Sequence, residues 1–572
     1  MVQTTATTRH TSGAAPDQLT CLALAYLLLP AAIYFLGWFK PLAGVPLLVM
    51  LGFAAWRALR LPARTRTAWP PLWLLALAIS AAVAWSVFGG AGHFFYANAH
   101  DWHIRDAVLR DLVAVSWPPA YDVGDEDILL LRAPVAYFLP AATLAKLIGA
   151  GIADRLLWLW TAMGVALFFL LLPLSRTQPV RAALALALAV AFSGMDIAGF
   201  MFPDYHGGNF PLKGAFIDWW IMPPPLVSYW ANTTNLFWNP NHTLPAWISI
   251  ALFYRHWQHA GFLSVAALLA AILPLWSPFA LIGMLPFLLL LALQQYRRQP
   301  AMAIDFPVMG ACFLVLAIIS VTLVVPPSGI AYGNTLTSPP PHGGWIYHND
   351  ISHYLTFAEN YLLFVIFEFG LLALLLSGLV DRRLFATAVA TLLLLPFVSI
   401  GPGNDLAMRG SIPALGVLCI AAIVGLCDAE SGIHPWRRIA LVLVLAIGAV
   451  TPYFEFDRAV SRRPWQPNAE FTLLDATNGQ VAPHYMVPLR QSPVAFALRP
   501  PGRLTNAVDW STFCLRAHPR NNMNQPGVAF AWRSNRNALK IRRDLKQWEQ
   551  CRAAYFREPR NSGELLRDVK CP

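Results

Sequence analysis

The chain has 572 residues, 57% of them hydrophobic and only 12% charged, with a formal net charge of +11. Its mean hydropathy is +0.50. That mixture excludes an ordinary soluble domain. It also argues against a nucleic-acid surface, because Lys and Arg fall in short clusters between apolar runs rather than along one polar face.

In chain order, residues 1–18 are polar and read as a cytoplasmic tail ahead of a retained signal anchor. Stretches of about 17 to 25 mainly apolar residues are long enough to cross the hydrocarbon as helix. Such stretches fall at 19–38, 42–59, 70–89, 154–174, 181–198, 243–257, 261–276, 277–294, 306–325, 354–380, 384–400, 411–427 and 439–454. The fold class expected is therefore an all-α polytopic membrane protein of about thirteen transmembrane helices, filling residues 19–454.

Orientation follows from the basic clusters. Arg57, Arg60, Arg64, Arg66, Arg176, Arg181, Arg255, Arg297, Arg298, Arg382, Arg383, Arg437 and Arg438 all fall in the short loops of one parity or at the span ends beside them, the side expected to be cytoplasmic. Loops 90–153, 199–242, 326–353 and 401–410 have the other parity, and the tail 455–572 joins them as a small extracytoplasmic region. Long connections on one face place function there. The membrane expected is a bacterial inner (plasma) membrane, with the N-terminus cytoplasmic and the C-terminus outside.

The first long loop opens with Asp101-Trp102-His103-Ile104-Arg105-Asp106 and runs helically to Leu112. Ile104, Val108 and Leu112 make an i, i+4, i+8 stripe suited to the headgroup boundary, and Asp101 with Arg105 makes an i, i+4 pair on another face. A carboxylate placed there can take a proton from an acceptor while a lipid-borne substrate stays in the bilayer. It can equally do no more than start the helix. A short, Pro-broken apolar segment follows, from Arg132-Ala133-Pro134 to Lys146, and then Asp154-Arg155-Leu156 begins the next span.

This order of parts resembles the GT-C superfamily of membrane glycosyltransferases, in the branch of protein O-mannosyltransferases and lipid A aminoarabinose transferases. The resemblance covers roughly residues 70–275, with an echo at 404–425. It implies a GT-C-like fold, a polyprenyl-phosphate sugar as donor, and Asp101 as the carboxylate that activates the acceptor. It differs from the family in two additional spans before the family's first helix and in Asp101-Trp102 where the family has an Asp-Glu pair.

Loop 199–242 carries Asp204, His206, Lys213, Asp218 and a Trp-rich stretch, then Asn239-Pro240-Asn241-His242 where the next span begins. In the resembling family a second polar group enters the site at this place, held here by Asn241 and His242. The alternative is a capping Asn and an interfacial His in a Trp belt. Late in the chain, Asn404-Asp405 through Arg409-Gly410 leads into Ser411-Ile412-Pro413, and an Arg at a helix start suits a phosphate. A plain Asp405–Arg409 surface pair is the simpler reading.

The expected catalytic residues are thus Asp101 and Arg105. His103, Asp106, His206, Asn241, His242, Asp405 and Arg409 are the expected substrate contacts. No metal site or cofactor is assigned, although His342, His348, Asp350 and His353 in loop 326–353 leave a divalent metal conceivable. Cys514, Cys551 and Cys571 in the tail can pair if it faces an oxidising compartment. Partners expected are a lipid-linked sugar donor, an acceptor that is a glycan, lipid or protein, and membrane lipids, with no nucleic acid. The competing functions are a transporter or flippase of a lipid-linked glycan, with Glu359 and Glu368 on a proton path, and a noncatalytic subunit of cell-envelope polymer assembly.

Overall fold

Backbone that enters hydrocarbon must satisfy its own polar groups, so apolar runs of this length fold as helices. The computed structural model describes residues 17–59, 69–122, 128–201, 217–218, 227–259, 261–298, 305–323, 344–345, 351–400, 404–428, 430–467, 472–476 and 485–505. Every apolar run named above carries a helix. In chain order these and the shorter helices are α1 (Gln18–Trp38), α2 (Pro41–Ala58), α3 (Leu72–Ser86), α4 (Ala99–Ala114), α5 (Leu139–Ile148), α6 (Ala153–Leu171) and α7 (Pro179–Ala191). Then come α8 (Asn232–Trp238), α9 (Pro240–His256), α10 (Phe262–Trp276), α11 (Pro278–Arg298), α12 (Phe306–Leu323), α13 (Ile351–Val365), α14 (Leu371–Leu376) and α15 (Arg382–Leu394). The last are α16 (Asp405–Gly410), α17 (Ile412–Cys427), α18 (Pro435–Gly448), α19 (Val450–Ser461) and the short α20 (Leu473–Ala476).

Among the described residues, eight helices are long and apolar enough to cross a membrane. The protein is an integral membrane protein of mostly helical build. Helices α9 and α17 sit at the centre, buried along nearly their whole length, whereas α2, α12 and α18 leave large apolar side chains such as Val49, Phe313 and Leu443 exposed on the outside of the bundle. That inverted surface is what a lipid solvent demands.

The two ends of the bundle differ. At one end Asp17 pairs with Arg255 at 2.7 Å, Thr20 meets His256 at 2.8 Å, and Arg57 pairs with Asp305 at 2.8 Å. At the other end lie residues 87–122 and 128–152 and the segment 485–505, joined in one sheet. Strands β1 (Pro119–Asp122), β2 (Ile128–Leu131), β5 (Met486–Pro488) and β6 (Gly502–Thr505) are ordered β5-β2-β1-β6, with β1 and β6 parallel and the other pairs antiparallel. A separate two-stranded pairing joins β3 (Gly344–Trp345) to β4 (Val398–Ser399).

The sheet corrects the all-α expectation. Its strands are only three or four residues long, and although β1 and β2 are a local pair, β5 and β6 lie hundreds of positions from the strands they join, so no local alternation announces the sheet. It also ties the tail to the first long loop rather than leaving it apart. Leu473 N–H donates to Asp111 at 2.8 Å, and Arg499 N–H reaches the Trp38 carbonyl at the end of α1 at 2.8 Å. A second correction concerns α4. Val108 and Leu112 are buried in the protein core, not laid on a headgroup boundary, and Asp101 sits in the first turn of a helix that starts at Ala99. The last apolar helix runs on through α19 to Ser461, past the expected boundary at residue 454.

Candidate functional site

Helix α4 is held in the fold by its indole. Trp102 is fully buried and its Nε1–H donates to the Phe237 carbonyl at 2.8 Å, which seats the first turn of α4 against α8. This leaves Asp101 and Arg105, one turn apart, on a neighbouring face. Their carboxylate and guanidinium are 3.3 Å apart, and the same Arg105 nitrogen, Nη1, donates to the Asp101 carbonyl at 2.8 Å.

Arg105 then reaches across to the junction of α8 and α9. Pro240 begins α9 and supplies no N–H, so the chain turns sharply there. Asn239, at the N-cap, makes no side-chain cap bond; its Oδ1 accepts instead from Arg105. Asn241 Oδ1 accepts from Arg105 Nε at 3.4 Å. The guanidinium is thus spread over two amides and one carboxylate.

His242, the next residue, faces the start of α11. Its Nδ1 lies 2.7 Å from Ser277 Oγ, and the same Oγ accepts the Ala280 N–H at 3.0 Å, as a helix-capping serine does. The serine's own hydrogen is then free for Nδ1, which places the imidazole hydrogen of a neutral His242 on Nε2.

The third contribution comes from α16. Asn404 takes a left-handed conformation (φ 52°) and its Oδ1 caps the helix at Ala407 N–H. Close seating against α11 needs Gly283, where a Cβ would come within 2.2 Å of the Gly410 carbonyl oxygen. Arg409 pairs with Asp405 at 2.9 Å and lies over the Phe279 ring at 5.7 Å. The His242 ring is 6.3 Å from the same Phe279. Arg409 Nε is buried with no hydrogen-bond partner among the described residues. The charges of Arg105 and Arg409 both act on His242, and those of Asp101, Arg105, Asp405 and Arg409 all act on Tyr485. Burial raises the Tyr485 phenol above its ordinary pKa, with the two guanidiniums opposing.

The far side of α4 carries a different cluster. His93 follows Gly92, and both have positive φ, 47° and 85°. Its Nδ1 bonds Asp154 Oδ2 at 3.1 Å, and the other Asp154 oxygen accepts the Gly92 N–H at 2.9 Å. Its Nε2 lies 3.1 Å from Asp106 Oδ2, an ion pair when His93 is protonated, although off the direction a ring N–H would take. Burial alone would strip the proton from His93, yet the Asp106 and Asp154 carboxylates prevail and push it up to about 10. Burial lifts Asp106 to about 6 against the pull of His93.

A further group of buried acids, Asp196, Asp218, Glu368 and Glu455, surrounds α8. Asp218 accepts from Ala231 N–H at 2.7 Å and Thr234 Oγ1 at 2.6 Å, fastening the start of α8. Glu455 accepts from Trp238 Nε1 at 2.8 Å and pairs with Arg458. Glu368 sits in a π-helical turn, Ile366–Gly370, between α13 and α14. Its carboxyl bonds that of Asp196, with Gly194 leaving the space for it.

Of the residues expected from sequence, Asp101, Arg105, Asn241, His242, Asp405 and Arg409 therefore meet around one polar centre. Asp106 faces His93 instead, and His103 is buried on α4. His206, His342, His348, Asp350, Cys514, Cys551 and Cys571 lie outside the described residues, and His353 falls in the first turn of α13. Glu359 is exposed, unlike Glu368. Sequence reading missed Asn239, Ser277, Phe279 and His93; the Gly-Gly-Ala-Gly run before His93 was the available sign of a tight turn. The site and fold define a helical membrane protein with a polar, two-arginine centre at the end that bears the long loops. Compared with known proteins, the chain matches no protein-family model and no curated sequence.

Proposed function

We propose that the protein is a GT-C-like glycosyltransferase of about thirteen membrane spans, with its N-terminus cytoplasmic, working on the outer face of a bacterial plasma membrane. A sugar carried on a polyprenyl phosphate enters from the bilayer. The acceptor hydroxyl attacks the anomeric carbon, Asp101 takes the hydroxyl proton, and the bond from that carbon to the phosphate oxygen breaks, inverting the centre. The polyprenyl phosphate leaves with its charge met by Arg409. Arg105 orients Asp101, while Asn241 and His242 line the path between the two arginines.

The observation that carries this reading is convergence. Four segments far apart in sequence, at Asp101/Arg105, Asn239–His242, Ser277–Phe279 and Asp405/Arg409, converge so that the Arg105 and Arg409 guanidiniums both act on His242. A phosphate leaving group calls for such donors, and Arg409 Nε has one unused. The test uses purified protein in detergent with a polyprenyl-phosphate-linked sugar. Asp101→Asn is expected to cut transfer by at least about a hundredfold while expression and thermal unfolding stay as in wild type. Full activity in that variant overturns the assignment.

The second reading, a transporter, is favoured by one observation: Glu368 is buried within a span beside a second buried carboxyl, Asp196. In liposomes, movement of lipid-linked sugar without new glycosidic product, abolished by Glu368→Gln, is the outcome that selects it.

A further inference from the structure

We propose that His93 and Asp106 form a binding site for a first-row divalent cation, Mn2+ or Zn2+, with Asp154 positioning the imidazole. The site's chemistry is distinct from the Asp101–Arg409 centre, and the inference needs no assumption about sugar transfer.

The donors converge on one place. His93, Asp106 and Asp154 each offer one ligand atom within 4.8 Å of the others. Asp106 is 8% exposed and His93 1%. Apart from their own 3.1 Å approach, neither the Asp106 oxygens nor His93 Nε2 has a hydrogen-bond partner among the described residues. The counter-charge beside that buried carboxylate is the proton on His93 Nε2, a place that a metal ion can take. The 3.1 Å from Nε2 to Asp106 Oδ2, off the N–H axis, is the separation two ligands adopt around a shared ion. Bonds of about 2.1 Å at right angles set neighbouring donors about 3 Å apart.

The surroundings fit the same role. A metal-bound imidazole usually donates its other N–H to a carboxylate, which fixes the ring and frees the ligating nitrogen. Asp154 makes that bond to Nδ1 at 3.1 Å, and is itself held by the Gly92 N–H at 2.9 Å. The left-handed backbone at Gly92 and His93 turns the ring toward α4, and Trp465 closes over it edge-on with ring centroids 4.5 Å apart. With a neutral imidazole, two carboxylates leave an excess of negative charge in which Arg105 is the neighbouring opposing cation. One imidazole nitrogen and a carboxylate suit Mn2+ or Zn2+. Water or the oxygens of a bound anion complete the shell.

The experiment titrates tag-free, chelator-treated full-length protein in detergent with Mn2+ alone, then with Zn2+, by calorimetry, and records electron spin echo modulation on the Mn2+ form. One ion per chain is expected, with modulation from a single imidazole nitrogen. His93→Gln and Asp106→Asn are expected to weaken binding at least about a hundredfold and His93→Gln to erase the nitrogen signal; Asp154→Asn should weaken it about 10 to 100-fold. No binding by wild type at millimolar Mn2+ and Zn2+, or binding unchanged in a folded His93→Gln, overturns the site. A proton on Nε2 is then the only cation it holds.

Discussion

Both ends of the bundle carry Asp–Arg pairs, but the pairs do different work. At the end that bears the short basic loops, Arg255 pairs with Asp17 and Arg57 with Asp305, each joining helices distant in sequence. At the other end Arg105 pairs with Asp101 and Arg409 with Asp405, each within a single helix at i, i+4. A pair between helices is a cross-link. A pair within one helix joins nothing; it sets a charge in place and leaves the rest of the guanidinium for other groups. At this end the joining is done by amides, by Trp102 and by the His242–Ser277 contact.

The largest effect should separate the two kinds of arginine. Arg409→Ala is expected to lower sugar transfer about a hundredfold or more, by about 3 kcal/mol of lost charge stabilisation, with little change in thermal unfolding. Arg255→Ala is expected to do the reverse: near-normal transfer, and a loss of about 1 to 3 kcal/mol of stability from a hydrogen-bonded charge left without its partner. If Arg255→Ala reduces transfer as strongly as Arg409→Ala, the distinction between cross-link and poised charge fails.

How much of this was legible in sequence depends on distance along the chain. The helices were readable because each is a local run whose length and apolarity suffice. The i, i+4 pairs at Asp101/Arg105 and Asp405/Arg409 were readable for the same reason. What brings them together was not: Arg105 finds Asn239, 134 positions away, and His242 finds Ser277, 35 away. Asn239 was passed over beside Asn241 because a cap residue ordinarily spends its oxygen on its own helix, and only the structure shows that oxygen given to Arg105. His93 and Asp154, 61 positions apart, and the parallel pairing of Pro119 with Gly502 have no periodic signature at all.

A smaller effect tests the attachment of the tail to the loop-bearing end. Asp111 is fully buried, accepting from Leu473 N–H and from the Tyr121 hydroxyl, both at 2.8 Å, and from Arg110 Nη1 at 2.9 Å. Burial, only partly offset by these donors, raises its pKa from 3.8 to about 6. Because the folded state holds the proton more tightly than the unfolded one, its contribution is fully present below 3.8 and is lost as pH rises through about 6. Wild type compared with Asp111→Asn should therefore be more favoured at pH 4 than at pH 7, by up to about 3 kcal/mol, read from thermal unfolding of the two proteins across that range. A pH-independent gap would mean that Asp111 titrates normally and that the tail is held by the sheet alone.

The smallest effect is expected at Arg57. Its pair with Asp305 is a cross-link by geometry, at 2.8 Å, but the side chains are 45% and 22% exposed. An exposed pair gains little from Coulomb attraction and gives up side-chain entropy to form, so Arg57→Ala should cost at most about 1 kcal/mol. Added salt should shrink even that difference, since exposed charges are screened. A larger, salt-insensitive loss in thermal unfolding would place this pair in a low-dielectric setting. It would then show that, at the basic end, the link between α2 and the start of α12 carries as much as the one between α1 and α9.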